Sequence, residues 1–460
     1  MAILSFLDRE RAVAPPGYNR WLVPPAALAV HLCIGQAYAF SVFNIPMTKL
    51  IGNKSPTPQD WSIEALGWIF SIALGMLGLS AAMFGKWLET VGPRRAMAAA
   101  AACFSGGFLI AAAGVKVHQL ALVYLGYGVV GGIGLGLGYI SPVSTLIKWF
   151  PDRPGMATGM AIMGFGGGAM IGSPLSVFLM DHFKTAQSMG VMETFVAMGL
   201  LYGAFMLFGV ITVRVPPPGW KPEGFIPPAQ PKKLVTSAHV DVGHAWQTPQ
   251  FWLLWMVLCM NVTAGIGVLS QASPMIQEMF PGKITASAAA GFVGLLSLFN
   301  LVGRFFWSSL SDSLGRKRTY LIYFVLGTAL YALVPTFGRK NSVVLFVAGF
   351  SIILSMYGGG FATVPAYLRD MFGTYHVSAI HGRLLTAWST AGVLGPVLVN
   401  YLREYALAHG ADKSGAYQTV LHVMAALLVV GFVANLLVRP VSEKYWMTEK
   451  VPATVGPGGH

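Results

Sequence analysis

The sequence predicts an all-α membrane protein with twelve transmembrane helices in two pseudo-symmetric six-helix halves. Three observations predict it. Of the 460 residues, 55% are hydrophobic and only 10% are charged, against about 25% charged in a soluble domain; helix surfaces facing lipid cannot hold charge. Apolar runs of about 20 residues, enough to cross the hydrocarbon core, recur near 21–44, 64–84, 96–114, 119–142, 155–180, 195–213, 250–273, 287–311, 319–337, 342–366, 384–402 and 417–438. A proline-dense break with Pro216, Pro217, Pro218, Pro222, Pro227, Pro228 and Pro231 divides these runs six and six. Proline at that density stops a helix and favours an extended linker.

The expected organisation is therefore an N-terminal tail (1–20), a six-helix half (21–213), a linker (214–249), a second half (250–438) and a C-terminal tail (439–460). Basic residues set the expected orientation, because Lys and Arg collect on the cytoplasmic side. Placing the N-terminus inside puts 20 Lys/Arg in cytoplasmic segments and nine opposite, with Arg304 alone inside a run. Both termini and the linker are thus expected in the cytoplasm, with the chain in the inner (plasma) membrane.

The net charge of +13 does not indicate nucleic acid, because the basic residues are spread over many short loops and form no stripe. Cys33, Cys103 and Cys259 fall inside apolar runs and make neither a disulfide framework nor a metal site. The charged, proline-containing first 20 residues are unlike a signal peptide. No cofactor is expected. The Gly-rich stretch from Thr454 to His460 reads as a disordered tail without functional signal.

The two halves look related. The stretch Gly85 to Arg95 follows run 2, and Ser308 to Arg318 closes run 8. Each reads small-x-x-x-acid-x-x-Gly and then basic residues, and Asp312 stands 223 positions after Glu89. Gly172 in run 5 and Gly395 in run 11 share that offset. A repeated six-helix half is the architecture of transporters that rock about a central site. A short turn with a carboxylate and cations can latch neighbouring helix ends and release them as the halves tilt. Glu89, Arg94, Asp312 and Arg316 are the latch candidates. These loops resemble the signature loop of the major facilitator superfamily, with Glu89 for the usual Asp and Pro93 for a basic residue in the first copy. The many glycines of runs 4 and 5 fit close helix packing.

Arg304 carries the chemical argument. A mid-membrane Arg costs about 2.5–3.5 kcal/mol on insertion scales and marks a site by default. The alternative is that it snorkels to the nearby interface. All 17 acidic residues fall in loops, tails or helix ends, and the position one turn before is Asn300, so no carboxylate is available to it within the span. An unpaired cation in low dielectric is costly. A substrate carboxylate would relieve it, and the planar guanidinium can hold both oxygens.

Asn19-Arg20-Trp21, Gly35-Gln36-Ala37-Tyr38, Trp149-Phe150-Pro151-Asp152-Arg153, Thr248-Pro249-Gln250-Phe251-Trp252, Arg304-Phe305-Phe306-Trp307 and Asp370-Met371-Phe372-Gly373-Thr374 resemble the oxalate/formate antiporter family and, more distantly, the monocarboxylate transporters. The resemblance implies that Arg304 binds the substrate carboxylate and that Tyr38, Tyr139 and Tyr357 line the pocket. It also implies a second cation, a lysine, where this chain has Trp388. One cation balances one negative charge, so a monocarboxylate is the expected substrate. Monocarboxylate–proton symporters typically place an Asp where this chain has Asn300, so exchange is favoured over symport.

His31 shares a helix face with Tyr38 and is the titratable candidate; a packing role is the alternative. His422 is placed at the interface. Phe361, one turn from Tyr357, is a candidate wall residue. Asn261, Thr263, Ser270 and Gln271 are secondary candidates, with interhelical bridging as the alternative. The expected function is alternating-access transport of a small organic anion such as formate, lactate or pyruvate, with a lipid bilayer and the anion as partners and the chain acting as a monomer. The alternatives are proton-coupled monocarboxylate symport, oxalate or dicarboxylate/formate antiport, and a transporter-like acid sensor. An enzyme is not expected, because the spans hold no paired acid/base groups or metal cluster.

Overall fold

The computed structural model describes residues 5–52, 55–225, 234–236 and 238–447. The side chain of Ser270 and the 454–460 tail lie outside the described residues. The described chain is helical, joined by loops and two isolated bridges. Twelve long helices run in order: α1 (Arg20–Met47), α2 (Ile63–Val91), α3 (Pro93–Lys116), α4 (Leu120–Trp149), α5 (Pro154–Phe183), α6 (Val191–Thr212), α7 (Pro249–Met279), α8 (Ala286–Leu314), α9 (Arg316–Arg339), α10 (Val343–Phe372), α11 (Thr386–Ala408) and α12 (Lys413–Leu437).

All but α11 are long and apolar enough to cross a membrane among the described residues. The polar Asn400, Arg403 and Glu404 dilute α11, and Arg403 pairs with Glu278 of α7 at 2.7 Å. A short helix, Val377–Leu384, runs into α11 through Leu385. Run 11 therefore begins seven residues before the expected 384, because His381 and Arg383 interrupt its apolar pattern.

Local chemistry sets the helix ends. Ser62, Thr248, Thr285 and Asp412 each accept a first-turn backbone N–H, satisfying groups the helix cannot. Pro93, Pro154 and Pro249 occupy first-turn positions, where proline's missing N–H costs nothing. Gly92 and Gly315 end α2 and α8 with φ of +83° and +87°, backbone values an L side chain resists. They stand 223 positions apart, so the repeat extends to backbone shape.

The first six helices pack among themselves, as do the last six. The halves meet where α5 lies along α8 and α10, and where α2 lies along α11 and its lead-in. Glycine permits the closest approaches. A Cβ on Gly168 of α5 would meet Gly35 Cα on α1 at 2.5 Å and Leu32 O at 2.6 Å.

One face of the bundle collects the α2–α3 and α8–α9 turns, the N-terminal segment and the 213–248 segment. Val215 exchanges backbone hydrogen bonds with Ala12 and Ala14 at 2.9 Å, Thr236 N donates to Asp370 O at 2.8 Å and Val240 N to Phe372 O at 3.0 Å. This is called the ion-paired face below. Gly168→Val should overpack the α1–α5 crossing at a cost of about 1–3 kcal/mol, read as a lower Tm in detergent than wild type.

Candidate functional site

Arg304 sits on α8, three turns from the ion-paired face, with no solvent exposure. It does not snorkel. Two glycines make its slot. A Cβ on Gly166 of α5 would meet Arg304 Nε at 2.8 Å, and one on Gly358 of α10 would meet Arg304 Cγ at 3.1 Å. Nε donates to Asn300 Oδ1 at 3.1 Å and Nη1 to the Ile162 carbonyl at 3.3 Å. Nη2 is buried without a hydrogen-bond partner. Among the described residues no carboxylate lies within ion-pair distance. The guanidinium faces two rings, Phe361 at 5.2 Å and Phe165 at 5.7 Å. Cation–π contact is worth roughly 0.5–2 kcal/mol, too little to replace a counter-ion.

The aromatic candidates gather around it. Tyr38 and Tyr357, from opposite halves, share a hydroxyl–hydroxyl hydrogen bond of 3.2 Å. Trp388 lies at the centre of the cage, 4.6 Å from Phe361, 5.1 Å from Phe165 and 5.2 Å from Tyr139 between ring centroids. Arg304 and Trp388 both approach the Tyr38 hydroxyl. Six of the eight residues proposed to bind substrate (Arg304, Tyr38, Tyr139, Tyr357, Trp388 and Phe361) thus share one cluster, buried except for the half-buried Tyr38. Asn300 orients the cation, and His31 stands edge-on to Tyr139 at 5.3 Å.

Of the secondary candidates, Asn261 borders the site beside Tyr357 and Gly360, and Thr263 and Gln271 fall elsewhere. Thr263 bonds back to Cys259 O and Gln271 bridges to Asn400 on α11, at 2.7 Å each, both structural roles. Asn261 Oδ1 is buried without a partner. His422 is exposed.

Two residues escaped the sequence reading. Phe165 lay inside a glycine-rich run assigned to packing. His381 lay just before the expected start of run 11, yet it is buried and 5.9 Å from Tyr139. The helix-forming Val377–Leu384 stretch was the signal that could have placed it in the bundle.

The two carboxylates expected in the latch are bonded across the halves. Asp312 accepts from Gly155 N at 2.8 Å and Met156 N at 2.9 Å, the N-terminal turn of α5. It also pairs with Arg316 at 2.6 Å, and Arg316 reaches Asp370 at 3.1 Å. Glu89 accepts from Ser378 N at 3.1 Å, at the start of the helix leading to α11, and pairs with Lys148 at 3.4 Å. Ser378 stands 223 positions after Gly155, the same offset that relates Asp312 to Glu89. Each half's carboxylate therefore caps a helix N-terminus of the other half, where the helix dipole favours negative charge. Arg94 departs from the expected latch. It is buried and donates to Phe6 O and Arg11 O, holding the N-terminal segment instead of pairing with Glu89. Nearby, Arg20 holds Asp152 at 2.6 and 3.0 Å. Partial burial pushes the Asp152 carboxyl up, but the Arg20 bonds draw it below the ordinary carboxylate value.

The profile of the Major Facilitator Superfamily matches residues 26–396 and 272–450. The chain belongs to that superfamily. It is 26% identical to the oxalate:formate antiporter of Oxalobacter formigenes, covering 82% of this chain and 83% of that protein. Apicoplast pyruvate carrier 1 of Toxoplasma gondii is 25% identical, covering 68% and 65%. Human monocarboxylate transporter 11 is 24% identical over 92% and 83%. Among solved structures, FucP in the outward conformation superposes with a TM-score of 0.63 at 13% identity, covering 90% of this chain and 98% of FucP. The human organic anion transporter MFSD10 gives 0.64 at 13%, covering 92% and 100%. The chain is thus a multi-pass membrane transporter of a small molecule and not an enzyme.

Removing the caps should open the ion-paired face. Charge-assisted hydrogen bonds contribute about 1.5–3 kcal/mol each. In a background lacking Cys33, Cys103 and Cys259, a cysteine replacing the buried Ser308 should react with an impermeant thiol reagent about tenfold faster or more when Asp312→Ala and Glu89→Ala are combined.

Proposed function

We propose that this transporter moves small monocarboxylates (formate, lactate, pyruvate or a close relative) by alternating access, with exchange as its basic cycle. The carrying observation is the Arg304 guanidinium, dry, with Nη2 unpartnered and no carboxylate at ion-pair distance among the described residues. Burying an uncompensated charge is strongly unfavourable. A bound carboxylate supplies the missing charge and accepts from Nη2, so the loaded carrier passes through the occluded state more readily than the empty one. That asymmetry favours exchange over uniport. The names of the antiporter and the pyruvate and monocarboxylate carriers point the same way.

Tyr38, Tyr139, Tyr357, Phe361 and Trp388 wall the anion and exclude water, which strengthens its attraction to Arg304. Trp388 fills the place where the resembling family carries a second cation, which favours a single negative charge. The halves would rock about this cluster, with the Asp312 and Glu89 caps holding the ion-paired face shut. We assign that face to the cytoplasm from the Lys/Arg excess, placing both termini on the cytoplasmic side of the plasma membrane, and read the unit as a monomer. The mixed-substrate alternative, dicarboxylate/monocarboxylate exchange, needs a second positive charge.

In proteoliposomes, Arg304→Gln should lower formate or lactate exchange at least about 100-fold, since breaking a buried charge pair costs about 3–5 kcal/mol; acid flux at the wild-type rate would refute the reading. Trp388→Lys should move preference towards oxalate, lowering its inhibition constant against labelled formate by about tenfold or more, the smaller end of a buried pair's coupling.

A further inference from the structure

Two buried histidines stand beside the cage, one from each half. His31 on α1 and His381 on the lead-in to α11 flank the ring of Tyr139 at 5.3 and 5.9 Å, and Trp388 packs on the same ring at 5.2 Å. His31 Nδ1 lies 3.2 Å from the Ala27 carbonyl. A carbonyl only accepts; with the proton on Nδ1 for Ala27 the other nitrogen, Nε2, holds a lone pair, and the ring also approaches the Tyr139 backbone carbonyl. That Nε2, His381 Nε2, the Tyr139 hydroxyl and Trp388 Nε1 are all buried without a hydrogen-bond partner. Buried polar atoms are rarely left unsatisfied, and four around one ring, beside the equally orphaned Arg304 Nη2, mark a place where something binds.

We propose that His31, with His381 beside it, is a proton-gated second cation of the central site, so that a dicarboxylate enters with a proton while a monocarboxylate enters without one. This rests on the carboxylate reading of Arg304 and extends its substrate class. With Arg304 alone charged, a monoanion leaves the site neutral and the histidines stay uncharged. A dianion leaves one negative charge over. A proton from the aqueous side then bonds to the Nε2 lone pair, making an imidazolium whose charge balances the second carboxylate, and no other bond changes. The site is neutral again at one proton per dianion. The histidine pair thereby does by titration what a fixed lysine at the Trp388 position would do permanently.

The surroundings leave the dianion as the charge that drives this protonation. His31 faces Arg304 from α8, the ring and backbone carbonyl of Tyr139 from α4 and His381 from the α11 lead-in, while on α5 Gly164 lies against its Cβ. Around His381, α2 brings the Ala81 backbone beside Gly382. The carboxylates nearby in the fold are engaged elsewhere: Glu89 by the Ser378 amide and Lys148, and Asp370 by Arg316 and Arg369. His376, just before the lead-in, lies 3.1 Å from Asp241.

The test is inhibition of labelled formate exchange by oxalate between about pH 5.5 and 7.5, the range in which histidine titrates and oxalate stays doubly ionised. In wild-type proteoliposomes the oxalate inhibition constant should fall as pH falls, by up to about tenfold per unit, while acetate inhibition stays flat. His31→Gln and the His31→Gln/His381→Gln pair should flatten the oxalate profile, each compared with its own formate exchange rate. A second readout needs no variant: external oxalate exchanging for internal formate should carry one proton into the vesicles, and formate–formate exchange none. Oxalate inhibition that is absent, pH-independent or equally steep in the variants, or oxalate entry without a proton, overturns the inference and leaves monocarboxylate exchange standing. Absence of labelled formate, lactate and pyruvate exchange in the wild type instead overturns the carboxylate reading itself.

Discussion

The structure is organised around a positive charge with no counter-ion among the described residues. Arg304 lies in a dry seam between two six-helix halves, held by a carbonyl, an amide oxygen and two ring faces. None of these neutralises it. A soluble protein would let such a group reach water; here the spans and the packed seam deny that route. On the proposed reading a visiting anion offsets that cost, and this links the fold to transport.

The seam itself depends on small residues. Gly155, Gly159 and Gly166 on α5 lie against α8 so closely that a Cβ on each would collide with Ser308 or Arg304 atoms. Close backbone approach lets the halves seal at one face without a wide apolar plug. The seal is held by polar caps at equivalent positions of the repeat, Asp312 on α5 and Glu89 on the α11 lead-in. Such contacts can be exchanged for water when the halves tilt, which a tightly interdigitated apolar seam does not permit. On the proposed alternating-access reading, a contact that must open many times is better built from helix-end hydrogen bonds than from core packing.

Much of this was legible in the chain because membranes impose coarse, strong rules. Run length and charge poverty expose spans, and an Arg inside a span is conspicuous whatever surrounds it. The repeat of the acid-and-glycine turn revealed the two halves. Rotational position around each helix was far less legible, because a span that faces neighbours on one side and lipid on the other is apolar on both. Phe165, in a glycine-rich run, and His381, ahead of an interrupted one, were invisible as site residues for that reason. Arg94 bonds to the N-terminal segment and not to Glu89, because sequence proximity says nothing of which way a side chain turns at a helix start.

What the amino-acid order alone determined was the number of spans, the division into halves, the turns that repeat at an offset of 223 and the presence of one intramembrane cation, since each follows from hydropathy, helix length and local turn chemistry. Only the tertiary structure decided that Arg304 is sealed from water, that Tyr38 meets Tyr357 across the halves, that each latch carboxylate caps a helix of the opposite half and that His31 and His381 flank one tyrosine. Those facts depend on how helices distant in sequence rotate and pack, and that is fixed by shape complementarity between surfaces which the linear pattern does not record.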